Sequence, residues 1–273
     1  MGLFANRAGC RLAYDRRGAG PAVLFIQGVG VHGDGWLPQV EALSDRFTCL
    51  TFDNRGMGRS VPANGPITVE GMAADALAVL DAERVGAAHV VGHSLGGLVA
   101  AQLALAARGR VTSLALLCTF ADGRAAAPLT LRMMWLGLRS RVGTRAMRRR
   151  GFADLIYPPG GAAAADFEAL AALFGHDLGD TPAVVGPQLK AMRAASVLPR
   201  LGELAGLRTV VASAAHDPIA PPAVGRALAA AVPGARYVEF AAASHGLPIT
   251  HPAETNALLR EHLATRPSDP APG

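Results

Sequence analysis

Six short apolar runs mark the chain, separated by stretches with helical patterning. Val23-Leu24-Phe25-Ile26 lies between Gly20-Pro21 and Gly28, and Phe47-Thr48-Cys49-Leu50-Thr51-Phe52 ends at Asp53. His89-Val90-Val91, Ser113 to Cys118, Thr209 to Ala212, and Arg236 to Phe240 follow. Most of these runs are continuous rather than alternating, as expected of strands buried on both faces. Between them, Met72 to Leu80 repeats apolar residues at helical spacing, with Thr68-Val69-Glu70 at its start. Leu95 to Arg108 is a second such stretch. Pro222 to Val232 and Pro252 to Leu263 carry prolines in their first turns, where a missing N–H costs nothing. Strands alternating with helices predict an α/β fold: a mostly parallel, right-handed βαβ sheet flanked by helices.

The alternation stops between Ala121 and Pro199. Three clusters there have helical spacing: Met133-Met134-Trp135-Leu136, Phe152-Leu155-Ile156-Tyr157 and Phe167-Leu170-Leu173-Phe174. They predict a helical cap inserted between two core strands, with apolar residues facing the core and a pocket beneath. The expected organisation is a core in two parts, 1–120 and 200–265, a cap at 121–199 and a loose tail at 266–273.

Composition narrows the function. Apolar residues make up 51% of the 273 and charged ones 17%, so a large folded core is expected. The net charge is +5, and every basic residue except Lys190 is arginine. Eight arginines fall between Arg124 and Arg150 with no acid among them. No aromatic-rich basic motif accompanies them, so nucleic acid is not an expected partner. They form either a solvated helical face or an attraction for an anionic substrate or membrane surface. Cys10, Cys49 and Cys118 are too scattered for a disulfide framework or a zinc site, and no His/Asp/Glu cluster has metal-ligand spacing. No cofactor fingerprint is present, because no helix opens where a third glycine after Gly28 and Gly30 would be needed. The N-terminal residues lack a signal-peptide core, and no apolar run reaches membrane-spanning length. A cytoplasmic protein without a membrane span is expected.

The chemistry concentrates at Gly92-His93-Ser94-Leu95-Gly96. This G-x-S-x-G sequence stands between an apolar run and a helical pattern, the context of a serine held on a sharp strand-to-helix turn. Small residues two positions either side are required because a Cβ would collide across the turn. A serine hydroxyl needs a base to attack at neutral pH. His245 follows the last strand, and loops after the C-terminal strand ends converge on one crevice in such a sheet. His251 is the nearest rival and fits better as a cap of the last helix. For the acid that orients the base, Asp217 and Asp122 both follow strands.

Five segments, in order, resemble the α/β-hydrolase superfamily over essentially the whole chain: Gln27-Gly28-Val29 with Trp36 beyond it, Asp53 to Ser60, Gly92 to Gly97, His216 to Ile219, and Ser244 to Gly246. The wording is most similar to small cap-bearing serine esterases and lactonases such as 3-oxoadipate enol-lactonases. The resemblance implies the α/β-hydrolase fold and the chain order Ser94, Asp217, His245 for a catalytic triad. Asp217 is favoured over Asp122 because His216-Asp217-Pro218-Ile219 matches the family wording. It further implies that the backbone N–H groups of Val29 and Leu95 form the oxyanion hole. Gln27 departs from the family, which usually has histidine there.

Gln27, His93, Met133 and Trp135 are the candidate substrate-binding residues. The expected activity is hydrolysis of a small carboxylic ester or lactone through an acyl-enzyme on Ser94. That substrate is mostly apolar, and the cap arginines leave room for a negative charge on it. A cofactor-free lyase, cyclase or perhydrolase-type reaction, or ligand binding with weak turnover, are the alternatives the same residues allow. Oligomeric state is not legible.

Overall fold

The computed structural model describes residues 2–126 and 130–264, apart from the side chain of Arg132. The expected tail at 266–273 lies outside the described residues. Eight strands form one sheet: β1 (Leu3–Arg7), β2 (Cys10–Arg17), β3 (Ala22–Ile26), β4 (Thr48–Phe52), β5 (Ala88–His93), β6 (Val111–Leu117), β7 (Thr209–Ala214) and β8 (Arg236–Phe240). Their spatial order is β1-β2-β4-β3-β5-β6-β7-β8. All pairings from β4 to β8 are parallel.

The first two strands were not expected from the apolar pattern. They form an antiparallel hairpin whose second strand pairs antiparallel with β4. At this edge Leu3, Arg11, Asp15, Arg16 and Arg17 face solvent, so no continuous apolar run exists. The turn is Ala8-Gly9 with φ of +47° and +73°. It is a tight hairpin turn without the Asn-Gly or Asp-Gly signal that usually reveals one.

Side chains alternate across the central strands, and both faces are covered. Leu24, Ile26, Leu50, Val90, Leu114 and Val211 join one buried cluster, with helices α2 (Val69–Ala82), α3 (Leu95–Ala106) and α8 (Pro222–Ala231). Val23, Phe25, Cys49, Val91, Ala115 and Val210 join another, with α1 (Leu37–Leu43), α9 (Leu247–Thr250) and α10 (Pro252–Ala264). Thr68 caps α2 by accepting from the Gly71 N–H, as its place before Val69-Glu70 predicts.

Between β6 and β7 run α4 (Leu131–Arg139), α5 (Arg145–Ile156), α6 (Phe167–Phe174) and α7 (Val185–Ala194). The ends of this insertion are joined where it leaves and rejoins the core. Val197 N–H donates to the Ala121 carbonyl at 2.8 Å and Gly123 N–H to that of Ala195 at 3.0 Å. Its own cluster contains Leu136, Leu155, Ile156, Leu170, Phe174 and Leu178. That cluster also takes in Val31, and Ile219 and Ile249 pack against it, the first two from core loops and the third from α9.

Four of the eight arginines from Arg124 to Arg150 pair with later acids. Arg139 and Arg150 meet Asp154, Arg145 meets Asp177 and Asp180, and Arg149 meets Asp177 and Glu168. Among the described residues no helix is long and apolar enough to cross a membrane.

Candidate active site

The sheet order reverses at β3: β4 lies on one side of it and β5 on the other. A crevice opens at the C-terminal strand ends where such a reversal occurs. The loop after β3 and the turn after β5 meet there. Ser94 has φ +55° and ψ −123°, a conformation that a serine adopts only under strain. The neighbours enforce it. A Cβ on Gly92 would collide with the Gly96 carbonyl, and one on Gly96 with the Ile26 carbonyl. The backbone of Ser94 is pinned as well: its N–H donates to the Leu117 carbonyl at 3.0 Å, and its carbonyl accepts from Thr119 Oγ1 at 2.6 Å.

The structure brings three of the candidate residues into one line. His245 Nε2 lies 3.0 Å from Ser94 Oγ, and His245 Nδ1 lies 2.8 Å from Asp217 Oδ2. All three are buried. Asp217 follows β7 and is held by its own turn, its Oδ1 accepting from the N–H groups of Ile219 and Ala220, each at 2.8 Å. Burial alone would raise its pKa. The His245 charge and hydrogen bond, with the two backbone donors, outweigh burial and hold the carboxyl below its ordinary value. Asp122 is elsewhere engaged: its carboxylate takes Arg124 in a bidentate pair, which lowers its pKa to about 2. His251 ends beside Thr250 and accepts the Thr255 N–H on its carbonyl, at the start of α10.

Leu95 follows Ser94 in the chain, and the loop that carries Val29 lies beside it. A Cβ on Gly28 would come within 3.1 Å of the Ser94 Cβ, so the β3 loop presses directly on the serine. Leu95 opens α3, whose first N–H groups have no partner within the helix. Among the described residues, neither the Val29 nor the Leu95 N–H has a hydrogen-bond partner. Two free donors beside a serine hydroxyl can stabilise negative charge on an oxygen bonded to the attacked carbon.

The remaining candidates divide. His93 Nε2 donates to the His245 carbonyl at 2.8 Å, and the two rings are 4.9 Å apart. Burial, with the His245 charge, pushes its pKa down to about 3, so it stays neutral. It holds the backbone of the candidate base. Gln27 is buried, and its Oε1 accepts from the Gly28 N–H at 3.2 Å, which ties the loop. Met133 packs half-buried against the insertion cluster, whereas Trp135 is 54% exposed with the Arg139 guanidinium over its ring. On α4, Leu136 turns inward while Leu131, Met134, Trp135 and Leu138 face out. Trp135 is therefore not part of the apolar cluster that faces the core loops, because helical geometry turns it away from Leu136. Asp53 and Arg55 brace their loop: Asp53 accepts from Gly33 and Arg59, and Arg55 forms a bidentate pair with the fully buried Asp75.

Residues 21–160 match the family model described as alpha/beta hydrolase fold. The chain is 33% identical to RutD of Azorhizobium caulinodans, a proposed carbamate hydrolase, over 94% of this chain and 96% of that protein. A hydrolase from Pseudomonas aeruginosa PA01 superposes with a TM-score of 0.82 at 27% identity, covering 97% of this chain and 98% of that one. The enol-lactonase from Burkholderia xenovorans LB400 superposes with a TM-score of 0.74 at 28% identity, covering 96% and 100%.

Proposed function

The chain belongs to the alpha/beta hydrolase fold family, and within that family we propose a serine hydrolase that cleaves a small carboxylic ester or lactone. Ser94 Oγ attacks the carbonyl carbon while His245 Nε2 takes its proton. Asp217 holds the Nδ1–H and stabilises the imidazolium. The N–H groups of Val29 and Leu95 receive the oxyanion, each lowering the barrier by about 3 kcal/mol. His245 then protonates the leaving oxygen, and water repeats the sequence on the acyl-enzyme. The observation that carries this reading is the unbroken line from Asp217 Oδ2 through His245 to Ser94 Oγ, with contacts of 2.8 and 3.0 Å.

The helical insertion acts as a cap over the crevice in this reading. Its apolar cluster, which meets Val31, Ile219 and Ile249 beside the triad loops, favours a mostly apolar substrate. The pairing of Arg139, Arg145, Arg149 and Arg150 with acids weakens the case for a negative charge on that substrate. A carbamate is a second substrate class, favoured by the 33% identity to RutD. It presents the same carbonyl to the same groups.

A panel of p-nitrophenyl esters, simple lactones and an aryl carbamate tests the proposal, run with the wild type and Ser94→Ala. Turnover by the wild type, abolished in a folded Ser94→Ala, is expected. Equal turnover by the variant would refute the nucleophile.

A further inference from the structure

Gly30 has both of its backbone polar groups bound by side chains of the insertion. Its N–H donates to Gln188 Oε1 at 2.9 Å, and Gln188, on α7, is fully buried. Its carbonyl accepts from His176 Nε2 at 2.8 Å, and His176 lies between α6 and α7. A third bond follows: the His32 N–H donates to the Phe174 carbonyl at 3.3 Å. Packing makes the fit close. Gly30 has φ +71°, and Val185 would lie 2.9 Å from a Cβ there. On the core side, Gln27 takes the Gly28 N–H on its side chain and the Asn54 amide, at 3.0 Å, on its carbonyl. Between these two anchored ends stands Val29, whose N–H has no partner among the described residues.

We infer that Gln188 and His176 are positioning residues that hold Gly30, so that the inserted helices, as well as the sheet, set the direction of the Val29 N–H. The inference rests on the proposed role of that N–H as an oxyanion donor. Donors stabilise an oxyanion only when fixed in place beforehand, and a misplacement of about 1 Å can cost about a hundredfold in rate. With Gly30 released, the loop from Gly28 to Val31 keeps its core anchor at Gln27 and loses the other. The hole is thus complete only while the insertion is seated, which couples covering of the crevice to readiness for chemistry.

The test compares Gln188→Leu with Gln188→Glu, and His176→Ala with His176→Gln, all in the full chain. The Glu variant keeps an oxygen for the Gly30 N–H, and the Gln variant keeps a donor for its carbonyl. With a p-nitrophenyl ester, Gln188→Leu and His176→Ala are expected to lower kcat about ten- to a hundredfold, with KM changed less than about twofold. The conservative partners restore most of kcat. Deuterium exchange over residues 27–32 reads the clamp without catalysis and should speed up at least about fivefold in Gln188→Leu. Where Gln188→Leu does not fold, His176→Ala, at a half-buried ring, carries the same two measurements. Unchanged exchange overturns the inference, as does a raised KM with unaltered kcat. Absence of turnover by the wild type counts against the proposed function instead and leaves the exchange rates to decide the clamp.

Discussion

Lowering the pH from 7 to 5 should remove about 6 kcal/mol of folding stability, through three buried histidines. Burial, with Arg208 nearby, pushes the pKa of His89 down to about 4. Burial pushes His93 and His262 down to about 3, with neighbouring positive charge adding to it in each case. In the unfolded chain each returns to about 6.5. Between those values the unfolded state binds protons that the native state refuses, so stability falls as pH falls. At pH 5 each histidine then costs about 2 kcal/mol relative to neutral pH. Depressed carboxylates do not confuse this window. Asp217, held below its ordinary value, gives stability that is complete above about pH 4 and lost only as pH drops further. Urea unfolding at pH 7, 6 and 5 measures the effect, and His262→Gln should flatten the slope by about one third. A stability constant to within about 1 kcal/mol over this range would refute the reasoning. The functional side of the same burial is that His93 remains neutral 4.9 Å from His245, so it does not oppose an imidazolium there.

Asp217→Asn should lower kcat by about four orders of magnitude while the fold persists, because His245 loses the partner of its Nδ1–H. Asp122→Asn should leave kcat within about twofold, since its carboxylate serves Arg124; steady-state kinetics of both variants checks the assignment. Asp75→Ala should destabilise the fold by about 3–5 kcal/mol in denaturant titration, because the buried Arg55 would be left without its bidentate partner.

Much of the candidate site was legible because its residues follow strand ends. The apolar runs located β3 to β8, and the loops that follow β3, β5, β7 and β8 hold Val29, Ser94, Asp217 and His245. Gly92 and Gly96 announced the strained turn through the absence of side chains. What escaped was chemistry made by tertiary contact. Gln188 and His176 carry no local pattern, since their partner is a backbone group about 150 positions earlier in the chain. The N-terminal hairpin was hidden because an edge pair is half exposed and carries arginines where a buried strand carries valines. That Trp135 lies outside the insertion's apolar cluster was not legible, because an apolar run on a helix shows which residues are adjacent, and not which of them turns inward. The arginine run looked unbalanced because its carboxylate partners, Asp154, Glu168, Asp177 and Asp180, come later in sequence.

Reaction with a fluorophosphonate, followed by peptide mapping, asks most directly whether the hydroxyl at position 94 is activated by the imidazole beside it. One adduct per chain, on Ser94, formed rapidly in the wild type and at least about a thousandfold more slowly in His245→Ala, is the expected result. An unlabelled Ser94, or labelling that proceeds equally well without His245, would contradict it.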